Sequence, residues 1–477
     1  MTTLRYSLAV TSTPSSPLLR ACRTRRDRLL SELSTRSPGL PALLGAGWPR
    51  PRNYLANPYP FRASSHFLYF VGRSLEGAAL WLDGERAVLL VEPPAEDDAL
   101  WHGPVPGHAQ LADELGLEVA GWSALATLRG GRKAATVPPL ERGEAERLAT
   151  LLARAGDTLG SSALDAPLLD AIVALRLYHD DAALGELSRV ASASVGAHRA
   201  GMRTTAPGRS EQEICAAMEF ELARAACGTA YGSIVSVHGE VLHNNRHDNV
   251  LRAGDLLLAD VGGESDTGYA ADITRTWPVS GRFSASQRAL YELVLSMQTA
   301  AIAAVKPGAR YRDVHLLAAR TLLDGLVQLG VLEGEVDALL EDGAHALFFP
   351  HGIGHLLGLD VHDMEDLGDR AGYAAGRTRS AQFGLSYLRL DRDLAPGMLV
   401  TIEPGFYQVP SLLADPARVG LSDRALNRSK LAAYADVRGI RIEDDVLVTD
   451  TGCRVLTEAL AKTPDEVEAL VGDRARA

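Results

Sequence analysis

Cysteine is scarce: the 477 residues contain four, at Cys22, Cys215, Cys227 and Cys453, and no two form a CxxC pair. That excludes a disulfide framework and a zinc knuckle and leaves reduced, mostly buried thiols. No stretch approaches the roughly 18–20 uncharged apolar residues that a membrane-spanning helix requires. The amino-terminal segment MTTLRYSLAVTSTPSSPLLRACRTRRDRLL also lacks the continuous apolar core of a signal peptide. Positive charge is in deficit, with 48 Lys and Arg against 60 Asp and Glu and a formal net charge of −12. A general nucleic-acid binder needs clustered basic residues, so that class is excluded. These absences describe a cytoplasmic protein with no nucleic-acid or membrane partner. The arginine run from Arg20 to Arg28 reads as the solvated face of a first helix, RACRTRRDRLLSEL.

What is present begins with size. A single core stops growing at roughly 250–300 residues, so at least two domains are expected. Hydrophobic residues make up 46% and charged residues 23%, the balance of a soluble globular enzyme. Between residues 20 and 130, HFLYFVG, GAALWLDG and RAVLLVEP read as sheet strands bounded by Gly and Pro. DDALWHG and HAQLADELGL read as a turn and helix, so the alternation predicts an α/β domain, assigned to residues 1–175. ERGEAERLATLLARAG is amphipathic, and from Tyr178 the pattern turns strongly helical, opening a second domain over residues 176–477. That domain holds a weak internal repeat. Pro207-Gly208 and Pro307-Gly308 each precede a long amphipathic helix, a start signal that predicts two similar halves facing each other with a site between them.

Five residues carry the chemistry: Asp260, Asp272, His355, Glu403 and Glu443. Four carboxylates and one imidazole are too many for one small cation, but suit two divalent metals ~3.5–4 Å apart that activate a water between them. LLLADVG and AADITRTW flank a turn centred on Asp266. A simple hairpin would set Asp260 and Asp272 opposite each other, with Cβ atoms roughly 4.5–5.5 Å apart. Two such carboxylates repel unless a cation neutralises them, although either alone could simply cap a turn. Glu403 ends the apolar run LVTI before Pro404-Gly405. Glu443 follows IRI and precedes Asp444 and Asp445, a run that a solvated loop would also explain. In a strand, Arg441 and Glu443 point to one face, so Arg441 is expected to orient or neutralise that carboxylate. His351 and His355 are four apart, but Gly352 and Gly354 argue for a loop or irregular strand rather than a helix. With His362 they put three histidines within twelve positions, and His243 in VLHNN adds a fourth.

Taken together, VLHNN, GDLLLADVGGESDTGYAADITRTWPVSG, FFPHGIGHLLGLDVHD, LAPGMLVTIEPGFY and GIRIEDDVLVTDTG resemble the Xaa-Pro peptidases, prolidase and aminopeptidase P, of the pita-bread metallopeptidases. The resemblance spans about residues 180–470, and NPYPFRASSHFLYFVG resembles the amino-terminal domain of those enzymes. It implies an α/β (α+β) protein whose N-terminal α/β domain precedes a pita-bread catalytic domain with pseudo-twofold halves, assembled as a homodimer. It implies Asp260, Asp272, His355, Glu403 and Glu443 as ligands of two divalent metal ions. Oxygen-rich ligation with one imidazole favours Mn(II), with Zn(II) or Co(II) as alternatives. Glu403 would shuttle the proton, and His243, His351 and His362 would contact substrate and transition state. Many relatives have His-Tyr where this chain has His243-Asn244. GLSYLRLDRDLAPGM and the long segment from Gln408 to Arg438 resemble prolidases of the eukaryotic type, which sets Arg389 on the free carboxylate of a dipeptide. A surface arginine is the alternative. The expectation is a dinuclear metallopeptidase that cleaves Xaa-Pro dipeptides. Aminopeptidase P is the alternative enzyme, and a metal-free binding protein is the alternative class, disfavoured because all five ligands are present.

Overall fold

The computed structural model describes residues 16–95, 98–422 and 424–472, so the first half of the segment read against a signal peptide lies outside the described residues. The chain divides into two compact units, the second beginning at Leu184. Among the described residues no helix is long and apolar enough to cross a membrane.

The first unit is built on a five-stranded sheet in the order Glu118–Ala120, Arg86–Leu90, Ala79–Asp83, Ala42–Gly45, Ala135–Thr136. Its three central strands run antiparallel and its two edges parallel. GAALWLDG and RAVLLVEP supply strands as read, but HFLYFVG forms the helix Ser65–Val71. All seven of its residues are buried, and Gly72 ends it in the left-handed conformation (φ 74°). An apolar run without alternation fits a buried helix as well as a strand, which is why the sequence pattern misled.

The first helix, Pro17–Arg36, is capped by the Ser16 side chain accepting from Leu19 N. Its arginines are not all solvated, because Arg25 and Arg26 are each 2% exposed. Arg25 forks onto Asp180 with two bonds of 2.8 Å. Arg26 donates to the carbonyls of Phe70 at 2.7 Å and Leu115 at 3.0 Å, in the last turns of the helices Ser65–Val71 and His108–Leu115. A cation there satisfies carbonyls that have no partner within their own helix.

The second unit repeats one pattern twice. The helix ending at Thr204 leads through Pro207-Gly208 into Glu211–Arg224, and then into a sheet of Ile234–Ser236, Leu256–Asp260 and Thr274–Pro278. The helix Ala285–Ala304 leads through Pro307-Gly308 into Tyr311–Gln328, and then into a sheet of Leu399–Ile402, Asp444–Val448 and Cys453–Val455. The two Pro-Gly corners are matched bond for bond. Gly208 N donates to Leu251 O at 2.9 Å and Gly308 N to Leu394 O at 2.8 Å, while Leu251 and Leu394 donate back to Arg209 O and Ala309 O. Both glycines have positive φ, 88° and 81°, which a side chain would strain.

Candidate metal and active site

All ten residues singled out from the sequence line one cavity of about 820 Å³ in the second unit. Asp260 closes the strand Leu256–Asp260, but its partner across the ladder is Thr274, not Asp272. The expected simple hairpin is therefore corrected. Gly263–Ser265 peels away to pair with Cys227–Thr229, and Asp272 stands two residues before the ladder register of Asp260. The two carboxylates still converge, because the Tyr231 hydroxyl lies 2.6 Å from Asp260 Oδ1 and 2.5 Å from Asp272 Oδ1.

The second half supplies three more groups. Glu403 follows Leu399–Ile402, and its N–H donates to Ile353 O at 2.8 Å. Glu443 N donates to Thr274 O at 3.0 Å, and Thr274 Oγ1 donates to Glu443 Oε2 at 2.7 Å. Glu443 Oε1 is buried without a hydrogen-bond partner among the described residues. His355 places Nε2 3.4 Å from Asp272 Oδ2 and 3.7 Å from Glu403 Oε1. Its Nδ1 lies 3.0 Å from Leu356 O, so the proton sits there and the Nε2 lone pair faces the carboxylates. The segment around it is irregular because Gly354 is pressed against Thr401 O and Tyr311 Oη, leaving no room for a Cβ.

The electrostatics fit a bound cation. Burial and the neighbouring Asp260 push the Asp272 carboxyl up to about 8. Burial raises Glu403 to about 7, although His355 and Arg441 oppose it. Burial, with Asp272 and Glu403 alongside, pushes Glu443 well above the carboxylate range. Three such groups cannot all ionise in one buried cluster without compensating positive charge. Donor atoms of Asp272, His355 and Glu443 lie within 4.8 Å of one another. An orphaned carboxylate oxygen in an oxygen-rich set with one imidazole suits hard or borderline divalent metals.

Arg441 makes its direct carboxylate hydrogen bond to Asp260 rather than to Glu443. Its Nη2 donates to Asp260 Oδ2 at 2.6 Å, Nε to Thr274 Oγ1 at 3.0 Å and Nη1 to Tyr407 Oη at 3.0 Å. Its hydrogen-bond path to Glu443 runs through Thr274, and its charge also opposes the rise of the Glu443 carboxyl. The strand Gly439–Arg441 stops at Arg441, so strand alternation does not carry through to Glu443.

Burial drives His351 down to about 3. Its Nδ1 lies 2.8 Å from Gly352 O and its Nε2 2.9 Å from Tyr407 Oη. Since Arg441 donates to Tyr407, the tyrosine proton points at His351, and both ring nitrogens are engaged. The His362 ring packs 4.2 Å from that of His355, with Nδ1 3.6 Å from Glu365 Oε2. Arg389 donates to the same Glu365 oxygen. Against the effect of burial, His362 and Arg389 hold Glu365 down at about 2. His243 is lowered by burial and by Arg441. Its neighbour Asn244 turns back to donate to Ser236 Oγ at 2.9 Å. Tyr231, Thr274, Glu365 and Tyr407 escaped the sequence reading because nothing in their local spacing marks them.

A family model, Metallopeptidase family M24, matches residues 185–450, and a second, Aminopeptidase P N-terminal domain, matches residues 22–127. The chain belongs to metallopeptidase family M24. Within that family it is similar to human Xaa-Pro dipeptidase, 38% identical over 312 residues, which cover 62% of this chain and 60% of the relative's length. It is 33% identical to Xaa-Pro aminopeptidase 1 of Streptomyces coelicolor over 482 residues, covering 95% of this chain and 87% of that one. Among solved structures, aminopeptidase PepP of Pseudomonas aeruginosa superposes with a TM-score of 0.77 at 30% identity, covering 96% of this chain and 98% of that one. An alanine variant of Escherichia coli aminopeptidase P gives 0.78 at 27% identity, covering 98% and 100%. The mixed α/β architecture of this M24 protein thus agrees with that of aminopeptidase P over nearly its whole length.

Proposed function

We propose that this protein hydrolyses the peptide bond before proline and releases the amino-terminal residue from Xaa-Pro-peptides. The observation that carries this reading is that Asp260, Asp272, His355, Glu403 and Glu443 line a single cavity, with donor atoms of Asp272, His355 and Glu443 within 4.8 Å of one another. These five would hold two divalent ions, Mn(II) by their hard donor set. Such a centre supplies Lewis acidity and a nucleophile available near neutral pH. Residues 1–175 would form the N-terminal domain and 176–477 the catalytic domain.

The chain's own groups divide the remaining work. Glu403 would accept the proton of the attacking water and pass it to the proline nitrogen, which carries no hydrogen of its own. His362 donates to the developing oxyanion or holds the substrate carbonyl. His351, engaged at both nitrogens, keeps Tyr407 in place, and His243 contacts the substrate.

Two observations favour longer substrates over dipeptides. The agreement with solved aminopeptidases extends across nearly the whole chain. Arg389 already spends its charge on Glu365, which blunts its grip on a dipeptide carboxylate. A dipeptidase is the second reading, favoured by Arg389 lining the cavity and by the similarity to human Xaa-Pro dipeptidase. Purified protein offered Xaa-Pro and Xaa-Pro-Xaa with the same first residue decides between them. Faster cleavage of the tripeptide is expected, and a preference for the dipeptide overturns that part of the proposal.

A further inference from the structure

Asp445 lies on the strand Asp444–Val448 and is 1% exposed. Neighbouring Asp444 has an evident task, since it takes Arg275 at 2.7 Å, Lys462 at 2.8 Å and Gln298 at 2.6 Å. Among the described residues Asp445 has no ion pair of this kind, and Arg275 acts on it only by its charge. Its carboxylate stands over the backbone of Asp272, with Asp272 N 3.3 Å from Oδ1 and 3.4 Å from Oδ2. Its own N–H is held by Thr457 Oγ1 at 3.2 Å, and its strand is registered on Leu399–Ile402 through the pair Thr401–Asp445.

The Asp272 amide needs such a partner. Asp272 precedes the strand Thr274–Pro278, so its N–H is not part of the ladder that pairs Thr274 with Asp260. Its flanks are fixed differently: Ala271 N donates to Gly263 O, and Ile273 O accepts from Val261 N. A buried N–H left unpaired would pull the backbone toward another acceptor and turn the Asp272 side chain with it.

We propose that Asp445 is a positioning residue: by accepting from the Asp272 amide it aims the Asp272 carboxylate into the metal cluster and ties the two halves of the catalytic unit together. The proposal rests on the reading of Asp272 as a metal ligand. It acts through hydrogen-bond acceptance, so a neutral acceptor of the same shape replaces it.

The test is Mn(II) titration of metal-free protein by calorimetry, with wild type, Asp445→Asn, Asp445→Ala and Asp272→Asn compared. Asp445→Ala is expected to weaken Mn(II) binding about 10–100-fold, the usual effect of removing a group that orients a ligand, whereas Asp445→Asn stays within about threefold of wild type. Wild-type affinity in Asp445→Ala, beside a clear loss in Asp272→Asn, overturns the proposal. Wild-type affinity in Asp272→Asn overturns the underlying ligand assignment instead. If Asp445→Ala does not fold, hydrogen–deuterium exchange on wild-type protein decides. The Asp272 amide is expected to exchange slowly in the metal-free state, and exchange at the rate of an open loop overturns the proposal.

Discussion

Arg441 Nη2 donates to Asp260 Oδ2 at 2.6 Å, with both side chains buried. The pair joins the strand Gly439–Arg441 to the end of Leu256–Asp260, and the same guanidinium holds Thr274 and Tyr407. An ammonium cannot span three acceptors in one plane. Arg441→Lys is therefore expected to lose roughly 10–100-fold in kcat/KM, as for other groups that orient metal ligands. Arg441→Met strands Asp260 without its cation and should lower stability on the order of 3–5 kcal/mol. Steady-state kinetics and thermal melts check both; wild-type values in Arg441→Met would show the pair to be incidental.

Asp260→Ala or Glu443→Ala is expected to abolish hydrolysis, because each removes an oxygen donor from the cluster. Elemental analysis of the purified variants supplies the second readout. Near wild-type turnover with full metal content in either variant would remove that residue from the ligand set.

Chelation should inactivate the enzyme, and Mn(II) should restore it at least as well as Zn(II). The donor set is hard, with four carboxylates to one imidazole, and a bound cation offsets the burial and mutual repulsion that raise Asp272 and Glu443. Full activity in a preparation that elemental analysis finds free of transition metal refutes this.

Arg389→Ala separates the two substrate readings. A charge-assisted bond to a dipeptide carboxylate is worth ~1.5–3 kcal/mol, roughly tenfold to 150-fold in discrimination. Since Glu365 already engages Arg389, the variant is expected to change the ratio of Xaa-Pro-Xaa to Xaa-Pro cleavage by less than about fivefold, short of that tenfold. A specific loss of dipeptide cleavage beyond tenfold returns the enzyme to the dipeptidases.

His315 and His345 are both buried, their rings 5.6 Å apart, and none of their four ring nitrogens has a hydrogen-bond partner among the described residues. Burial lowers His345 from 6.5 to about 4. The folded state therefore keeps His345 neutral, while the unfolded chain takes up a proton between pH 6.5 and about 4. Stability is full above pH 6.5 and declines as pH falls through that window. At about 1.36 kcal/mol per pKa unit the loss is on the order of 3 kcal/mol. His345→Phe should flatten the acid limb of the thermal stability curve, and an unchanged limb would mean that the imidazole is not buried neutral.

Three of the candidate ligands, Asp260, Glu403 and Glu443, were legible because each ends a short apolar segment whose local pattern forces order: LLLAD, LVTIE and IRIE read as buried backbone ending on a carboxylate. The Pro-Gly repeat was legible for the same reason, since Pro fixes φ and Gly permits the positive φ that both corners adopt. HFLYFVG was not, because continuous apolarity carries no period to separate a helix from a strand. The buried Arg25 and Arg26 were hidden too, since their acceptors lie far along the chain, at Phe70, Leu115 and Asp180.

What the chain order alone determined was which residues carry donors and which backbone segments must be ordered, because both follow from side-chain chemistry and short-range sterics. The tertiary structure decided how those donors are aimed. The Asp260 strand pairs with Thr274 rather than Asp272, Arg441 hydrogen-bonds Asp260 directly and Glu443 only through Thr274, and Tyr231 lies between two carboxylates. These pairings join positions from 14 to 181 residues apart. Their partners are selected by ladder register and burial across two packed halves, which no local pattern of residues encodes.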